Sequence, residues 1–236
     1  MTYCLGIKVK EGLIALADTR ISSGTSVTTK KKVHVECSGN GSLFIMTSGL
    51  RSVRDKAVIY FQELMESGIE FDKMFKAVNA LGVQIRRVEQ EDNEALAKSG
   101  YKFNLNAIVG GQLKGDNEHK LFQIYPEGNW VELDMSCPYV IIGNSGQGKA
   151  LLSRVLKEDT TLKQALKAGY LSFDSTRVSS NDVEFPIDVV WYEKDSYNMV
   201  EKRYEYLDMA PVSIAWAQKL QDALDEIPEE WMDDIL

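Results

Sequence analysis

Histidine and cysteine are both scarce in this chain of 236 residues. Two histidines, His34 and His119, offer little material for histidine-based catalysis or for a metal site. The three cysteines, Cys4, Cys37 and Cys137, are odd in number and lack paired spacing, which argues against a disulfide framework or a zinc site. We therefore expect no metal, no cofactor and reduced thiols in a cytoplasmic protein. A hydrolase with this composition would need a base other than histidine.

The sequence also lacks an excess of basic residues and any long apolar run. Its net charge is −8, and no basic stripe with interleaved aromatic residues is present, so we expect no nucleic-acid partner. The longest apolar runs, such as residues 187–191, are too short to cross a bilayer. The N-terminus has neither the basic nor the apolar region of a secretory signal. We therefore expect no membrane association and a cytoplasmic location.

Strand-like and helix-like stretches follow one another in separate blocks. Apolar runs at 3–9 and 13–17 flank a glycine-containing turn and predict a β-hairpin. The apolar period then becomes helical over 51–67 and 72–97. Further strands are expected at 33–37, 43–46, 105–109, 120–125, 130–133, 139–142, 187–193 and 197–206, further helices at 148–157 and 162–168, and a polar loop at 22–32. Segregated blocks indicate an α+β fold, with antiparallel sheets covered by helices, in a single domain over residues 1–236.

Individual residues set the expected ends of several elements. Asp72 suits the N-cap of the second helix, and Thr160 or Asp159 suits that of the fourth. Pro211 suits the first turn of a final helix. Residues 174–181 are expected to form a loop or a short helical turn.

A threonine lies directly behind the initiator methionine. If Met1 were removed, Thr2 would carry a free α-amine and a nucleophilic hydroxyl on one residue. An N-terminal amine is one of the groups that can activate a threonine hydroxyl. The alternative is that Thr2 is simply the β-branched first residue of an edge strand.

The segment Gly143–Lys149 nearly matches a phosphate-binding loop, because it follows an apolar strand and precedes a helix. The position that should offer a hydroxyl to magnesium is Ala150, however, and no metal-binding aspartate follows a suitable strand downstream. We therefore favour a glycine-rich turn between a strand and a helix, with nucleotide binding as the alternative.

Three further motifs join the threonine of the opening strand. They are Ala17-Asp18-Thr19-Arg20 at the end of the second strand, Lys30-Lys31-Lys32-Val33 before the third, and Met46-Thr47-Ser48-Gly49 at the end of the fourth. Together they resemble the proteasome β-subunit family of N-terminal-nucleophile hydrolases, and the resemblance covers nearly the whole chain in element order. It implies a four-layer αββα sandwich of two mainly antiparallel sheets.

Three short segments are similar to one bacterial branch of this family, the proteasome-related proteases called Anbu. They are the opening Met1-Thr2-Tyr3-Cys4-Leu5-Gly6, the run Leu171-Ser172-Phe173-Asp174-Ser175-Thr176, and Pro186-Ile187-Asp188. Each motif is short, but jointly they are specific.

The resemblance implies roles for the residues at the first strand ends. Thr2 is the nucleophile, Lys32 a buried lysine and Asp18 its acidic partner, with Arg20 bracing the cluster. A free α-amine has a pKa of about 8, so a nearby lysine cation makes it a better base at neutral pH. Adjacency to Val33 selects Lys32, with Lys30 and Lys31 as alternatives.

The resemblance also implies roles for residues later in the chain. The backbone N–H of Gly49 is the oxyanion donor, with Ser48 as a close competitor. Ser145 is a candidate for orienting the amine. Asp174 takes the place of the family's later acid, accompanied by a serine that is either Ser175 or Ser179.

The resulting expectation is a threonine-type peptidase that Met1 removal activates, without a longer leader. Its substrate would be a peptide or an unfolded protein, and family members imply a homo-oligomeric ring or ring-like assembly; any unfoldase partner is unknown. The alternatives are a small-molecule amidase or acylase of the same fold, a nucleotide-binding protein using Gly143–Lys149, and an inactive assembly subunit. The acidic terminus at 229–236 is expected to fray rather than dock.

Overall fold

Two five-stranded antiparallel sheets form the centre of the computed structural model, which describes residues 2–23 and 26–233. Met1 and residues 234–236 lie outside the described residues, and with them the expected state of Met1 and the last part of the acidic terminus. The strands are β1 (Tyr3–Val9), β2 (Gly12–Asp18), β3 (Arg20–Ser23), β4 (Ser26–Thr29), β5 (Val33–Ser38), β6 (Gly41–Gly49), β7 (Leu105–Leu113), β8 (Lys120–Ile124), β9 (Trp130–Glu132), β10 (Tyr139–Gly143), β11 (Ile187–Glu193) and β12 (Met199–Tyr204). The helices are α1 (Arg51–Glu66), α2 (Met74–Lys98), α3 (Gly146–Val155), α4 (Leu162–Ser179) and α5 (Tyr206–Asp225).

Both large sheets are antiparallel throughout. The strand order is β10-β1-β2-β11-β12 in one sheet and β5-β6-β7-β8-β9 in the other. The strands β3 and β4 form a separate two-stranded ribbon. Part of the segment at 22–32, expected to be a loop, is therefore paired as strands, because Thr28 and Thr29 lie opposite Ile21 and Arg20.

Three apolar clusters stack the secondary structure into four layers. One cluster joins α1 and α2 to the sheet that contains β6 and β7. A second lies between the two sheets, and a third joins the sheet of β1 and β2 to α3 and α4. The structure confirms the expected αββα sandwich.

The two strands of the opening hairpin are almost wholly apolar because both of their faces are buried. Tyr3, Leu5 and Ile7 face the helix layer, whereas Cys4 faces the other sheet. Successive side chains of a strand point to opposite faces, so a strand covered on both faces needs apolar residues at every position. Burial of the two strands holds their ends in place, and the candidate site residues lie at these ends.

Helix α4 is longer than expected and continues through Ser179. The expectation of a loop or turn at 174–181 is therefore wrong for most of that segment. Serine, threonine and glycine weaken helix propensity, but Phe173 and Thr176 are fully buried and packing outweighs propensity. The hydroxyls of Ser175 and Thr176 donate to backbone carbonyls four residues earlier, which satisfies them within the helix.

Several helix starts also differ from expectation. Asp72 does not cap α2; instead the N–H of Met74 donates to Asp116 at 2.9 Å. Thr161, rather than either expected neighbour, caps α4 in a capping box with Gln164. Helix α5 begins at Tyr206 and contains Pro211 in its interior. Within residues 2–23 and 26–233, no helix is long and apolar enough to cross a membrane.

Candidate active site

Thr2 lies just before β1, which is paired with β10 on one side and β2 on the other. The residue is buried, and its carbonyl accepts a hydrogen bond from the N–H of Asn144 at 2.7 Å. Gly143 must be glycine here: its φ is +92°, and an added Cβ would lie 1.9 Å from the Thr2 carbonyl oxygen. The segment that resembled a phosphate-binding loop therefore holds the backbone of Thr2.

Asp18 ends β2 directly opposite the start of β1. Its Oδ1 accepts hydrogen bonds from the N–H of Tyr3 and from Lys32 Nζ, both at 2.7 Å. Lys32 Nζ also donates to the carbonyl of Arg20 at 2.7 Å. Asp18 is 0% exposed and Lys32 2% exposed. Asp18 therefore bridges the Lys32 ammonium and the peptide that follows Thr2.

Burial and pairing act in opposite directions on the Asp18 carboxyl. Burial raises its pKa, whereas the Lys32 ammonium and the N–H of Tyr3 favour the ionised form and lower it. Its second oxygen, Oδ2, is buried without a hydrogen-bond partner among the described residues. The pair therefore retains one unused acceptor beside the N-terminus.

The lysine triplet separates into one buried and two surface residues. Lys30 pairs with Asp55 and Lys31 pairs with Glu201. Lys32 is the member that reaches Asp18. Its position fits the choice made from adjacency to Val33.

A cleft of 780 Å³ opens beside Thr2. Ser48 and Gly49 at the end of β6 line it, together with Gly143. Gly49 has a φ of +119°, and an added Cβ would lie 2.0 Å from the carbonyl oxygen of Asn104. The structure therefore brings Thr2, Ser48 and Gly49 to one cleft, while the role of the Gly49 N–H as oxyanion donor stays a prediction.

Ser145 lies on another surface. It precedes α3 without forming a side-chain cap, and it lines a separate cavity of 420 Å³ together with Lys149 and Tyr139. Ser145 directly follows Asn144, the residue whose N–H donates to the Thr2 carbonyl. The structure does not assign it a contact with Thr2.

Asp174 is engaged on the outer helix layer. Its Oδ1 accepts hydrogen bonds from Arg177 at 2.9 Å and from Ser213 of α5 at 2.8 Å. Ser175 and Ser179 both donate to carbonyls within α4. These contacts tie α4 to α5 and are not contacts with Thr2, Asp18 or Lys32. Asp174, Ser175 and Ser179 all lie in α4, which continues further than expected, through Ser179.

Sequence reasoning missed Arg54 as a feature of the cleft. This residue of α1 lines the cleft although it is only 5% exposed. Burial lowers the pKa of its guanidinium. The available signal was its place beside Val53 within the apolar stripe of the helix, where a solvated arginine is unexpected.

Cys4, a possible alternative nucleophile, is poorly suited to that role. It is fully buried, and burial raises the pKa of its thiol to about 12, so the thiolate is disfavoured at neutral pH. Across the described part of the chain, no group of three or more histidine, cysteine or carboxylate side chains is placed to hold a metal ion.

Comparison with known proteins identifies the family. The family model described as proteasome subunit matches residues 2–191. A search of proteins with curated functions finds no match. Similar solved structures include an Anbu (Gly-1) mutant from Hyphomicrobium sp. strain MC1, with 32% identity, a TM-score of 0.88 and coverage of 97% of this chain and 99% of that one.

Two further structures extend the similarity to other organisms. Anbu (ancestral beta-subunit) from Yersinia bercovieri has 29% identity, a TM-score of 0.87 and coverage of 96% of this chain and 97% of that one. The structure described as a helical assembly of the Anbu complex from Pseudomonas aeruginosa has 27% identity, a TM-score of 0.90 and coverage of 96% and 97%. The chain belongs to the proteasome subunit family, and its similarity to the Anbu structures agrees with the branch that its sequence motifs indicate.

Proposed function

We propose that this protein is an N-terminal threonine hydrolase that cleaves peptide bonds with Thr2 once Met1 has been removed. The observation that carries the proposal is the buried Asp18–Lys32 pair, which is hydrogen-bonded to the peptide after Thr2 at the edge of an open cleft. A buried ion pair is weak evidence for stability, because desolvation offsets much of its attraction. The Asp18–Lys32 pair lies beside a potential nucleophile, however, where it can support a reaction.

In the first half of the proposed reaction, Thr2 attacks the substrate carbonyl. The free α-amine of Thr2 takes the proton of its own hydroxyl as Oγ attacks the substrate carbonyl. The Lys32 cation keeps the amine from holding a proton in the resting state, and Asp18 compensates the burial of that cation. The N–H of Gly49 is the proposed donor to the developing oxyanion, a contribution of about 3 kcal/mol to the barrier.

The second half releases the product and restores the enzyme. The α-ammonium returns the proton to the leaving amine as the carbon–nitrogen bond breaks, which leaves an acyl ester on Thr2. Water then attacks the ester with the α-amine as base, and the hydroxyl of Thr2 is regenerated. Each step uses a group that belongs to Thr2 or lies against it.

Two alternatives are less well supported by the structure. The Gly143–Lys149 loop already uses the Asn144 N–H to hold Thr2, and Ala150 has no hydroxyl for magnesium. An ATP-induced rise in melting temperature that disappears in Lys149→Ala would revive nucleotide binding. Hydrolysis of N-acyl amino acids in preference to peptides would favour a small-molecule amidase.

The proposal is tested with two preparations, one that begins at Thr2 and one that retains Met1. We expect peptide hydrolysis by the first alone, and none by a Thr2→Ala variant with an unchanged melting temperature. Thr29→Ala removes an exposed threonine that does not line the cleft, so it is the matched control and should leave activity unchanged. Equal activity with Met1 attached would rule out the mechanism, and inactivity of both preparations towards all peptides would favour an assembly subunit.

We also propose that copies of this chain associate, as those of the P. aeruginosa Anbu complex do in a helical assembly. Helix α5 exposes apolar side chains at Leu207, Ile214 and Leu224, which are 82%, 71% and 65% exposed. Apolar surface of this kind often marks an interaction site. Light scattering should detect an oligomer, and a monomer at all concentrations would contradict the proposal.

A further inference from the structure

The cleft beside Thr2 carries a local charge opposite to that of the whole chain. Arg20, Arg51 and Arg54 line it, and none of the lining residues described by the structure is acidic. The whole chain has a net charge of −8. A cationic recess in an acidic protein selects and concentrates anionic ligands.

The nearest carboxylates do not neutralise this recess. Asp18 is paired with Lys32, and Asp55 is shared between Lys30 and Arg51. Counting these groups with the cleft arginines gives five cations against two carboxylates. An excess of positive charge therefore remains at the cleft.

Arg54 is the most unusual of these cations. It is 5% exposed and has no carboxylate partner in the described ranges. Its one hydrogen bond is a long one, from a terminal nitrogen to the carbonyl of Thr47 at 3.4 Å, and its Nε is buried without a partner among the described residues. A buried guanidinium with unused donors is unfavourable until an anion reaches it. Arg20, which also lines the cleft, has a buried Nε without a described partner as well.

The start of α1 adds to the same field. The helix begins at Arg51 behind Leu50, which supplies no side-chain cap, and its first turn contains no acidic residue. A helix N-terminus normally attracts negative charge, yet here two arginines occupy the first four positions. Backbone N–H groups, the helix dipole and the arginines therefore all favour an anion at this end.

We propose that this cleft recognises an aspartate or glutamate side chain of the substrate, at the residue whose carbonyl Thr2 attacks. The inference rests on the proposed function for the position of the scissile bond. The side chain closest to that carbonyl enters the cleft that Thr2 and Arg54 share. The planar guanidinium of Arg54 can donate two hydrogen bonds to a carboxylate.

Hydrolysis of matched peptides tests the inference in the wild-type protein. The peptides differ only at the residue whose carbonyl Thr2 attacks, which is glutamate, glutamine, aspartate, asparagine, leucine or lysine. We expect kcat/KM to be roughly tenfold or more higher for glutamate than for glutamine, mainly through KM, and the ratio to shrink in 0.5 M salt as screening increases. Equal rates for glutamate and glutamine would overturn the inference and leave the proposed function standing.

Variants identify the residue responsible. Arg54→Met, which preserves side-chain length, should bring the ratio of kcat/KM for the glutamate peptide to that for the glutamine peptide close to one. Arg87→Met removes an exposed arginine of α2 as the matched control and should leave the preference unchanged. A glutamate preference that survives Arg54→Met intact would contradict the role of Arg54.

Binding to Thr2→Ala separates the inference from the proposed reaction. Fluorescence anisotropy with labelled, amidated peptides should show tighter binding of glutamate than of glutamine. If the wild type cleaves no peptide but this preference holds, the reaction fails and the inference survives. Equal affinity for the two peptides contradicts the inference. A glutamine peptide with a free C-terminal carboxylate tests whether the cleft binds a chain end in place of an acidic side chain. If this peptide bound more tightly than the amidated glutamate peptide, the inference would also be contradicted.

Discussion

Two buried carboxylates, Asp18 and Asp174, were expected in the active site, and each forms an ion pair in the structure. The surroundings of the two ion pairs differ. Asp18 and Lys32 are fully enclosed at two strand ends, and their side chains are 0% and 1% exposed. Asp174 and Arg177 lie three residues apart on α4, where Arg177 also faces the rings of Phe185 and Tyr206. The first pair contacts the peptide of a potential nucleophile, and the second joins two helices.

The difference teaches how to distinguish a pair that supports chemistry from one that supports packing. Asp174 receives hydrogen bonds from both Arg177 and Ser213, so its role in linking α4 and α5 explains its burial. Asp18 keeps a buried oxygen that has no hydrogen-bond partner among the described residues, so its desolvation is less fully compensated. We therefore expect the two pairs to respond differently to mutation.

Breaking the Asp18–Lys32 pair should have the largest effect. Lys32→Met leaves a carboxylate buried without its cation, which should cost about 3–5 kcal/mol of unfolding free energy. Activity should fall by roughly 10²–10⁴-fold, because the base at Thr2 loses its tuning. Denaturant unfolding and peptide hydrolysis measure the two effects.

The double variant Asp18→Asn/Lys32→Met separates folding from chemistry. It removes both charges and keeps an oxygen that can accept from Tyr3, so it should recover part of the lost stability without recovering activity. Recovery of both together would contradict a catalytic role for the pair.

Moving Thr2 without changing its chemistry should have the second largest effect. An alanine at Gly143 would need the +92° φ and would clash with the Thr2 carbonyl, so Gly143→Ala should displace Thr2. A displacement of about 1 Å can cost roughly 100-fold in rate. Gly100→Ala is the matched control, since its φ is +78° but no atom lies within 4 Å.

The control should lose about 1–2 kcal/mol of stability through backbone strain alone and keep full activity. Equal activity losses for Gly143→Ala and Gly100→Ala would mean that Thr2 placement is unimportant.

Breaking the helix pair should affect stability more than activity. Asp174→Asn weakens charge-assisted hydrogen bonds from Arg177 and Ser213 and should cost about 1–3 kcal/mol. Peptide hydrolysis should change less than about threefold, because the cleft residues are untouched. An activity loss comparable to that of Lys32→Met would return Asp174 to the active site and remove the contrast between the two pairs.

The smallest expected effect is the contribution of His119 to the pH dependence of the unfolding free energy. Burial lowers the pKa of His119, whose Nε2 lies 2.7 Å from the Val9 carbonyl. Its Nδ1 is buried without a partner in the described part of the chain. The neutral form is therefore favoured in the folded protein, so the stability from His119 is complete above pH ~6.5 and is lost as pH falls towards the lowered value.

We expect the free energy of unfolding to fall as the pH is lowered from 7 to 5.5, because protonation of this residue is disfavoured in the folded protein. His119→Gln can still donate to Val9 and should flatten that part of the dependence. An unchanged pH profile in His119→Gln would show that the histidine does not contribute.

The opening hairpin was predicted from two apolar runs that flank a glycine-containing turn, whereas the Asp18–Lys32 pair was implied by the family resemblance. The structure contains both the hairpin and the ion pair. The helical setting of Asp174 was missed, because serines and glycine weaken the local helix signal while buried Phe173 supports the helix through tertiary packing. The place of Arg54 within the apolar stripe of α1 was a signal for its burial, but the helix pattern alone does not show that the residue lines a cleft, because other elements form the rest of that cleft.

The state and reactivity of the N-terminus test the central claim most directly. We would treat the purified protein with an acylating β-lactone and locate the added mass by peptide mapping. The account predicts that Met1 is absent and that the label forms an ester on Thr2, with no label in Lys32→Met under the same conditions. Retention of Met1 in every molecule, or labelling of a cysteine in place of Thr2, would contradict the account.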